Sequence, residues 1–185
     1  EIQHDEYKLQ NLIDDRTDFL TKYQNKNYAN SYINLVNKTI DIEKSIDKNK
    51  DDLSKAVAVY FSKLMAYKDE YEVARLYTNG EFKEKLYNTF EGNLKLKFHV
   101  APPLFAPKDP NTGKLKKITI GSWIMTAFKI LTKFKFLRGS MFDPFGKTKE
   151  RKMERYLIEQ YINDINKILN EVNKDKLFLA TQIAS

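Results

Sequence analysis

Apolar residues recur at three- and four-residue spacing through most of the chain, and the places where that spacing fails divide it into elements. Leu9, Leu12, Ile13, Phe19, Leu20 and Tyr23 form one such stripe, and the polar NKN at 25–27 interrupts it before Tyr28, Tyr32, Leu35, Val36 and Ile40 resume. Two antiparallel helices are expected there. The polar run DKNKDD, 47–52, is a turn, and the next period predicts one long helix from about Leu53 to Tyr77, closed at Asn79-Gly80 where a left-handed cap is easiest. A shorter helix carries Phe82, Leu86 and Phe90.

At Gly92 the period changes from helical to alternating. In NLKLKFHV, 93–100, Leu94, Leu96, Phe98 and Val100 alternate with polar residues, which predicts a strand with one buried face, ended by Pro102 and Pro103. KDPNTGK, 108–114, is turn chemistry, and KLKKITIG, 114–121, offers a second short strand, so the middle of the chain reads as a small hairpin with a wide loop. Gly121-Ser122 then starts a helix, with Ser122 at the cap, that runs to Leu137 and stops at Gly139. MFDPFGKT, 141–148, is a loop, and Thr148 caps a final long helix to about Val172. The fold class is therefore mainly α with a small β-hairpin, α+β, with long antiparallel helices packed around a two- to three-stranded insertion.

Projected at 100° per residue, the third helix places Leu53, Ala56, Val57, Tyr60, Leu64, Tyr67, Tyr71 and Ala74 in one stripe, which Phe61 and Met65 widen. Lys68, Glu72 and Arg75 continue the widened side and are expected to be partly buried, while Asp69 and Glu70 point to water. Buried charges persist only when paired, and Lys68–Glu72 and Glu72–Arg75 have neighbour spacing. Arg138 falls in the arc of Trp123, Ala127, Leu131 and Phe134, and Glu150, Glu154 and Asp164 fall in the arc of Met153, Leu157, Tyr161 and Ile168, with Lys152 and Arg155 outside it. These inward charges read either as an interhelical ion network or as a face that meets substrate or another domain, with Lys68, Glu72, Arg75, His99, Arg138, Asp143, Glu150 and Glu154 as its candidate members. No nucleophile–base–orienter triad is legible, and His99 alternates with the buried strand positions.

Composition narrows the chemistry. The 185 residues, 42% hydrophobic, suit one globular domain of ordinary size or a long helical layer with a smaller appendage. With no cysteine, the segment carries no disulfide, thiolate zinc site, iron–sulfur ligation or cysteine nucleophile, and with only His4 and His99 no nitrogen-rich metal site is expected. The net charge of +7 concentrates in Lys114, Lys116 and Lys117 and in Lys129, Lys133, Lys135, Arg138, Lys147, Lys149, Arg151, Lys152 and Arg155, against only Asp143, Glu150 and Glu154 in the latter stretch. Solvated helix surface is the plain reading of this excess. Acidic partner proteins come next; no nucleic-acid module is present, and a nucleic-acid partner is not expected. No apolar run approaches the ~20 residues that span a bilayer and the start EIQHDEYKLQ is no signal peptide, so a cytoplasmic, membrane-free protein is expected. The start at Glu1 and the end in LATQIAS read as those of a piece of a longer chain.

Three long blocks carry a resemblance. YFSKLMAYKDEYEVARLYT (60–78), LKFHVAPPLFAPKDPNTGKLKK (96–117) and FKFLRGSMFDPFGKTKERKMERYLIEQY (134–161) resemble the C-terminal domain, a domain of unknown function, of the large single-chain indolepyruvate ferredoxin oxidoreductases, a branch of the 2-oxoacid:ferredoxin oxidoreductases. The resemblance runs from about residue 10 to the end. It implies an enzyme in which thiamine diphosphate with magnesium, iron–sulfur clusters, coenzyme A and ferredoxin serve oxidative decarboxylation of a 2-oxoacid on other domains. For this chain it implies a noncatalytic accessory domain that docks on those domains of the same polypeptide, with no cofactor or metal of its own and no residue carried over as catalytic. Two alternatives are left open: that Arg138, Arg75 or His99 contacts the oxoacid carboxylate or the coenzyme A phosphates at an interdomain cleft, and, less expected, that the chain is a basic nucleic-acid-binding module.

Overall fold

The computed structural model describes residues 2–92, 94–100, 107, 109–110, 112–113 and 116–185, with side chains from Leu9 onward. The expected stop at Pro102-Pro103, and Lys114 and the side chain of His4, lie outside the described residues. The chain divides into two compact units: residues 1–67 with 149–185, and residues 68–148. Among the described residues there are eight α-helices, one 3-10 turn and a two-stranded antiparallel sheet, the mainly helical fold with a hairpin that the periodicity predicts.

The first unit is helical: α1 (Ile2–Tyr23), α2 (Lys26–Ile46), α3 (Asp52–Met65), α7 (Lys149–Glu171) and α8 (Leu177–Ile183). The break between α1 and α2 falls in NKN because Asn25 turns extended and its side chain accepts the Tyr28 N–H at 2.9 Å, supplying one of the donors that a helix start leaves free. Leu20, Tyr32, Val36, Leu53, Val57, Phe61, Ile165 and Leu169 form the core, and Tyr32, Phe61 and Tyr161 stack in series through it.

Tyrosine hydroxyls reach α3 at its middle and its end. Tyr32 donates to the carbonyl of Ala58 in mid-helix, while Tyr28 donates to that of Met65 and Tyr23 to that of Tyr67 just beyond it, so bulky side chains also satisfy carbonyls where the helix ends. The start of α3 is held from α2. The carboxylate of fully buried Glu43 accepts the backbone N–H of Leu53 at 2.9 Å and that of Ser54 at 2.8 Å, together with the Ser54 hydroxyl. An anion is favoured where those amides point.

In the second unit, α4 (Glu70–Thr78), α5 (Glu81–Thr89), strands β1 (Lys97–Val100) and β2 (Ile118–Gly121) and α6 (Ile124–Lys133) surround Ala74, Phe98, Ile124, Met125 and Phe128. The strands pair Phe98 with Ile120 and Val100 with Ile118. Tyr77 stands edge-on to Phe82 and Phe98 and stacks on Phe128. Leu96 and Val100 pack on the same cluster while His99 faces outward, so the alternation seen in the sequence has its apolar side on the core.

Four expectations need correction. The helix foreseen from Leu53 to Tyr77 is two helices, because Asp69 turns extended and caps α4, accepting the Glu72 N–H at 2.8 Å. Asp69, expected in water, is buried, while Lys68, expected partly inside, is exposed. Helix α6 has Trp123 at its cap position in helical conformation and no side-chain cap from Ser122; the first turn closes on the carbonyls of Ser122 and Trp123. On α7 the buried face runs through Ile158, Tyr161, Ile162, Ile165 and Leu169; of the expected arc Tyr161 and Ile168 pack on the core, but Met153 and Leu157 are exposed, as are Glu150 and Asp164, and Glu154 is half-buried. Helix α8 packs Leu177, Ala180 and Ala184 into the first core and ends with the Ala184 carbonyl accepting the Tyr161 hydroxyl.

Replacement of Glu43 by alanine is expected to cost about 3 kcal/mol, because two buried amides and a hydroxyl lose their acceptor. Urea unfolding of Glu43→Ala checks this, and a loss below about 1 kcal/mol would contradict the capping role.

Candidate functional site

The charged residues of the second unit converge on α4 and on the loop after α6. Asp69 heads α4 and keeps the second face of its carboxylate for Arg138, which follows the 3-10 turn Lys135–Leu137. Arg138 Nε donates to Oδ2 of Asp69 at 2.5 Å and Nη2 to Oδ1 at 2.8 Å, a two-pronged pair whose side chains are 2% and 3% exposed. Its guanidinium lies 5.5 Å from the centre of the Tyr71 ring.

Tyr71 carries the network onward. Its hydroxyl donates to Oδ1 of Asp143 at 3.2 Å, and its ring meets Phe145 edge-on at 5.4 Å. Asp143 in turn accepts the Gly139 N–H at 2.8 Å and the Phe145 N–H at 3.1 Å, so one buried carboxylate ties both limbs of the 139–145 loop to α4. Gly146 sits against this carboxylate so closely that an added Cβ would meet Asp143 Oδ2 at 2.4 Å, which leaves no room for a side chain there. Burial, reinforced by the charge of Asp143 and the hydrogen bond to it, raises the Tyr71 hydroxyl well above the ordinary tyrosine pKa.

Glu72 is buried one turn beyond Asp69 and takes Arg75 in a second two-pronged pair, Nε to Oε2 at 2.8 Å and Nη2 to Oε1 at 2.7 Å. That hydrogen bond raises the Arg75 pKa further and keeps it cationic. Lys135 is lowered, first by burial and then by the positive charges of Arg138 and Arg75.

Of the eight candidates, Arg138 and Asp143 join one network through Asp69 and Tyr71, and Glu72 with Arg75 forms the adjoining pair. Lys68 stands exposed at the turn. His99 is exposed on β1, its Nδ1 3.0 Å from the Thr119 hydroxyl across the hairpin. Glu150 is exposed at the start of α7, and Glu154 pairs within α7 with Arg151 at 2.7 Å, Arg151 lying over Tyr67 in the first unit. Asp69 and Lys135 are the members that the projection misses, while Tyr71 is placed inward by it as an apolar residue only. A signal for the first was present: Asp69-Glu-Tyr-Glu72 is the spacing of a helix N-terminal capping box. Among the described residues no group of three or more His, Asp or Glu side chains is placed to hold a metal ion, and no helix is long and apolar enough to cross a membrane.

Fold and site together define a mostly helical domain whose second unit is built around an internal ion network. The chain belongs to a family of unknown function, DUF6537, whose model matches residues 9–185. No curated protein and no solved structure matches it.

Two measurements test the network. Arg138→Met leaves Asp69 charged and buried and is expected to cost about 3–5 kcal/mol, whereas Asp69→Asn with Arg138→Met costs far less than the sum of the two single changes, because the helix cap survives and no buried charge is left alone. Additive losses in denaturant unfolding would contradict the pair. In alkali, the folded-state pKa of Tyr71 lies above its unfolded value of 10.0, so the stability it contributes is full below pH 10 and is lost as pH climbs from there toward the folded value. The ultraviolet phenolate signal should therefore gain its Tyr71 share only with unfolding, seen as the difference from Tyr71→Phe; a Tyr71 share that titrates near pH 10 before unfolding would contradict burial.

Proposed function

We propose that this chain is the noncatalytic C-terminal structural and docking domain of a thiamine-diphosphate- and iron–sulfur-dependent 2-oxoacid ferredoxin oxidoreductase, of the indolepyruvate branch. The oxidoreductase context rests on the resemblance of the three blocks at 60–78, 96–117 and 134–161. The docking role is supported chiefly by the state of Arg138. An arginine that served an oxoacid carboxylate or a coenzyme A phosphate would present its planar fork to solvent or to a cleft, and here the fork is closed on Asp69 inside the unit. Arg75 is likewise engaged by Glu72.

Thiamine diphosphate, magnesium and the clusters belong on this reading to other parts of the polypeptide, since the chain has no cysteine to ligate iron. This chain's own contribution is to support the catalytic domains, with 2-oxoacid, coenzyme A and ferredoxin as partners of the whole enzyme.

The test is to isolate the native protein from its source cells with an antibody against this segment. A polypeptide several times heavier than 21.8 kDa that reduces a viologen dye with a 2-oxoacid and coenzyme A is expected. In that enzyme, Arg138→Met with Asp69→Asn should keep kcat within about two-fold. A free-standing protein near 21.8 kDa, or a heavy one that carries no iron, would overturn the oxidoreductase reading, and a folded double variant about a hundred-fold slower would overturn the noncatalytic one.

A further inference from the structure

Helix α6 is apolar on two faces. One face carries Ile124, Met125 and Phe128 into the core of the second unit, with Leu131 packed beside them. The other carries Trp123, Ala127, Ile130 and Phe134, and all four are exposed, Trp123 by 68%, Ile130 by 54% and Phe134 by 45%. At 100° per residue these four fall within about 60° of arc, at the i, i+4, i+7, i+11 spacing of a seam between packed helices. Phe136 extends the strip, its ring 6.3 Å from that of Phe134, and is itself exposed. A contiguous exposed strip of this kind marks an interaction site rather than ordinary surface.

Charge on the strip's open flank selects the partner. Lys129 and Lys133 run along the side away from the core, and Lys135 follows. From Trp123 to Phe142 the chain holds these three lysines and Arg138 but no Asp or Glu. Arg138 is closed on Asp69 and Lys135 is half-buried, so the exposed charge on this flank is that of Lys129 and Lys133. A second copy of the chain, at +7, would bring like charges together along the same flank. An anionic lipid surface would accept lysines and aromatic rings. It has no use for small Ala127 set between Trp123 and Ile130, which opens a notch of the kind that receives a side chain from a facing helix.

We infer that the exposed face of α6, Trp123, Ala127, Ile130 and Phe134, is the docking seam for an acidic amphipathic helix of a protein partner, its apolar stripe seated on these four residues and its carboxylates beside Lys129 and Lys133. This deepens the docking reading above and rests on it, but its test involves no oxidoreductase chemistry.

A photo-crosslinking side chain placed at position 130 of the native protein in its source cells, with one at exposed Lys83 as the control, identifies the occupant by sequencing the crosslinked peptide. The expected product is a segment with apolar residues at helical spacing and excess Asp and Glu, in at least ten-fold greater yield than at position 83. Lys129→Glu with Lys133→Glu should lower that yield at least ten-fold, while arginine at both positions should preserve it. Crosslinks to lipid, to a second copy of this chain or to a basic segment, a yield no greater than at position 83, or indifference to charge reversal would each overturn the inference. A correct crosslink in a protein of 21.8 kDa would leave the seam standing and remove the oxidoreductase as its owner.

Discussion

The second unit depends on one carboxylate serving two masters. Asp69 accepts the Glu72 amide in the first turn of α4 and the guanidinium of Arg138 at once. The first contact ends the helical register that would otherwise run on from α3, and the second fixes the chain as it leaves α6. Charge makes the double role workable, because a carboxylate at a helix start is favoured by the amides, and a paired arginine offsets part of the cost of burying it. From there the constraint spreads through Tyr71 to Asp143, whose three hydrogen bonds hold the 139–145 loop.

The first unit solves a similar problem with the same chemistry. Glu43 on α2 meets the start of α3 as Asp69 meets the start of α4, and tyrosines from α1 and α2 meet its end. Glu43 and Asp69 are thus each closed on donors within their own unit, while several large apolar side chains stay exposed, notably Trp123, Met141, Phe142 and Phe178.

Much of this was legible in the pattern of residues. NKN and DKNKDD mark real ends, Lys149 starts α7 beside the foreseen Thr148, and the alternation at Leu96, Phe98 and Val100 marks the hairpin, whereas the helix expected to reach Leu137 ends at Lys133 and only a 3-10 turn continues to Leu137. The break at 66–69 was hidden because Tyr67, Tyr71 and Ala74 keep the helical period across it, and the capping spacing of Asp69 and Glu72 competes with that period at only two positions. Helix α6 defeats a one-dimensional projection for another reason. Trp123, Ala127 and Phe134 form a true stripe, but a helix with two apolar faces does not declare which one is inside. Arg138 is buried as expected, but not through the arc of Trp123, Ala127 and Phe134, which is exposed, and its partner was missed because burial of Asp69 depends on contact 69 residues away in sequence.

The most direct test of this account is the exchange rate of the Arg138 Nε proton, measured by nitrogen-resolved NMR. A guanidinium locked on buried Asp69 should keep that proton about a thousand-fold longer than an exposed arginine does, with release only when the unit unfolds. Exchange as fast as that of an exposed arginine would mean that Arg138 opens freely to solvent, and the internal ion pair would no longer account for the fold of the second unit.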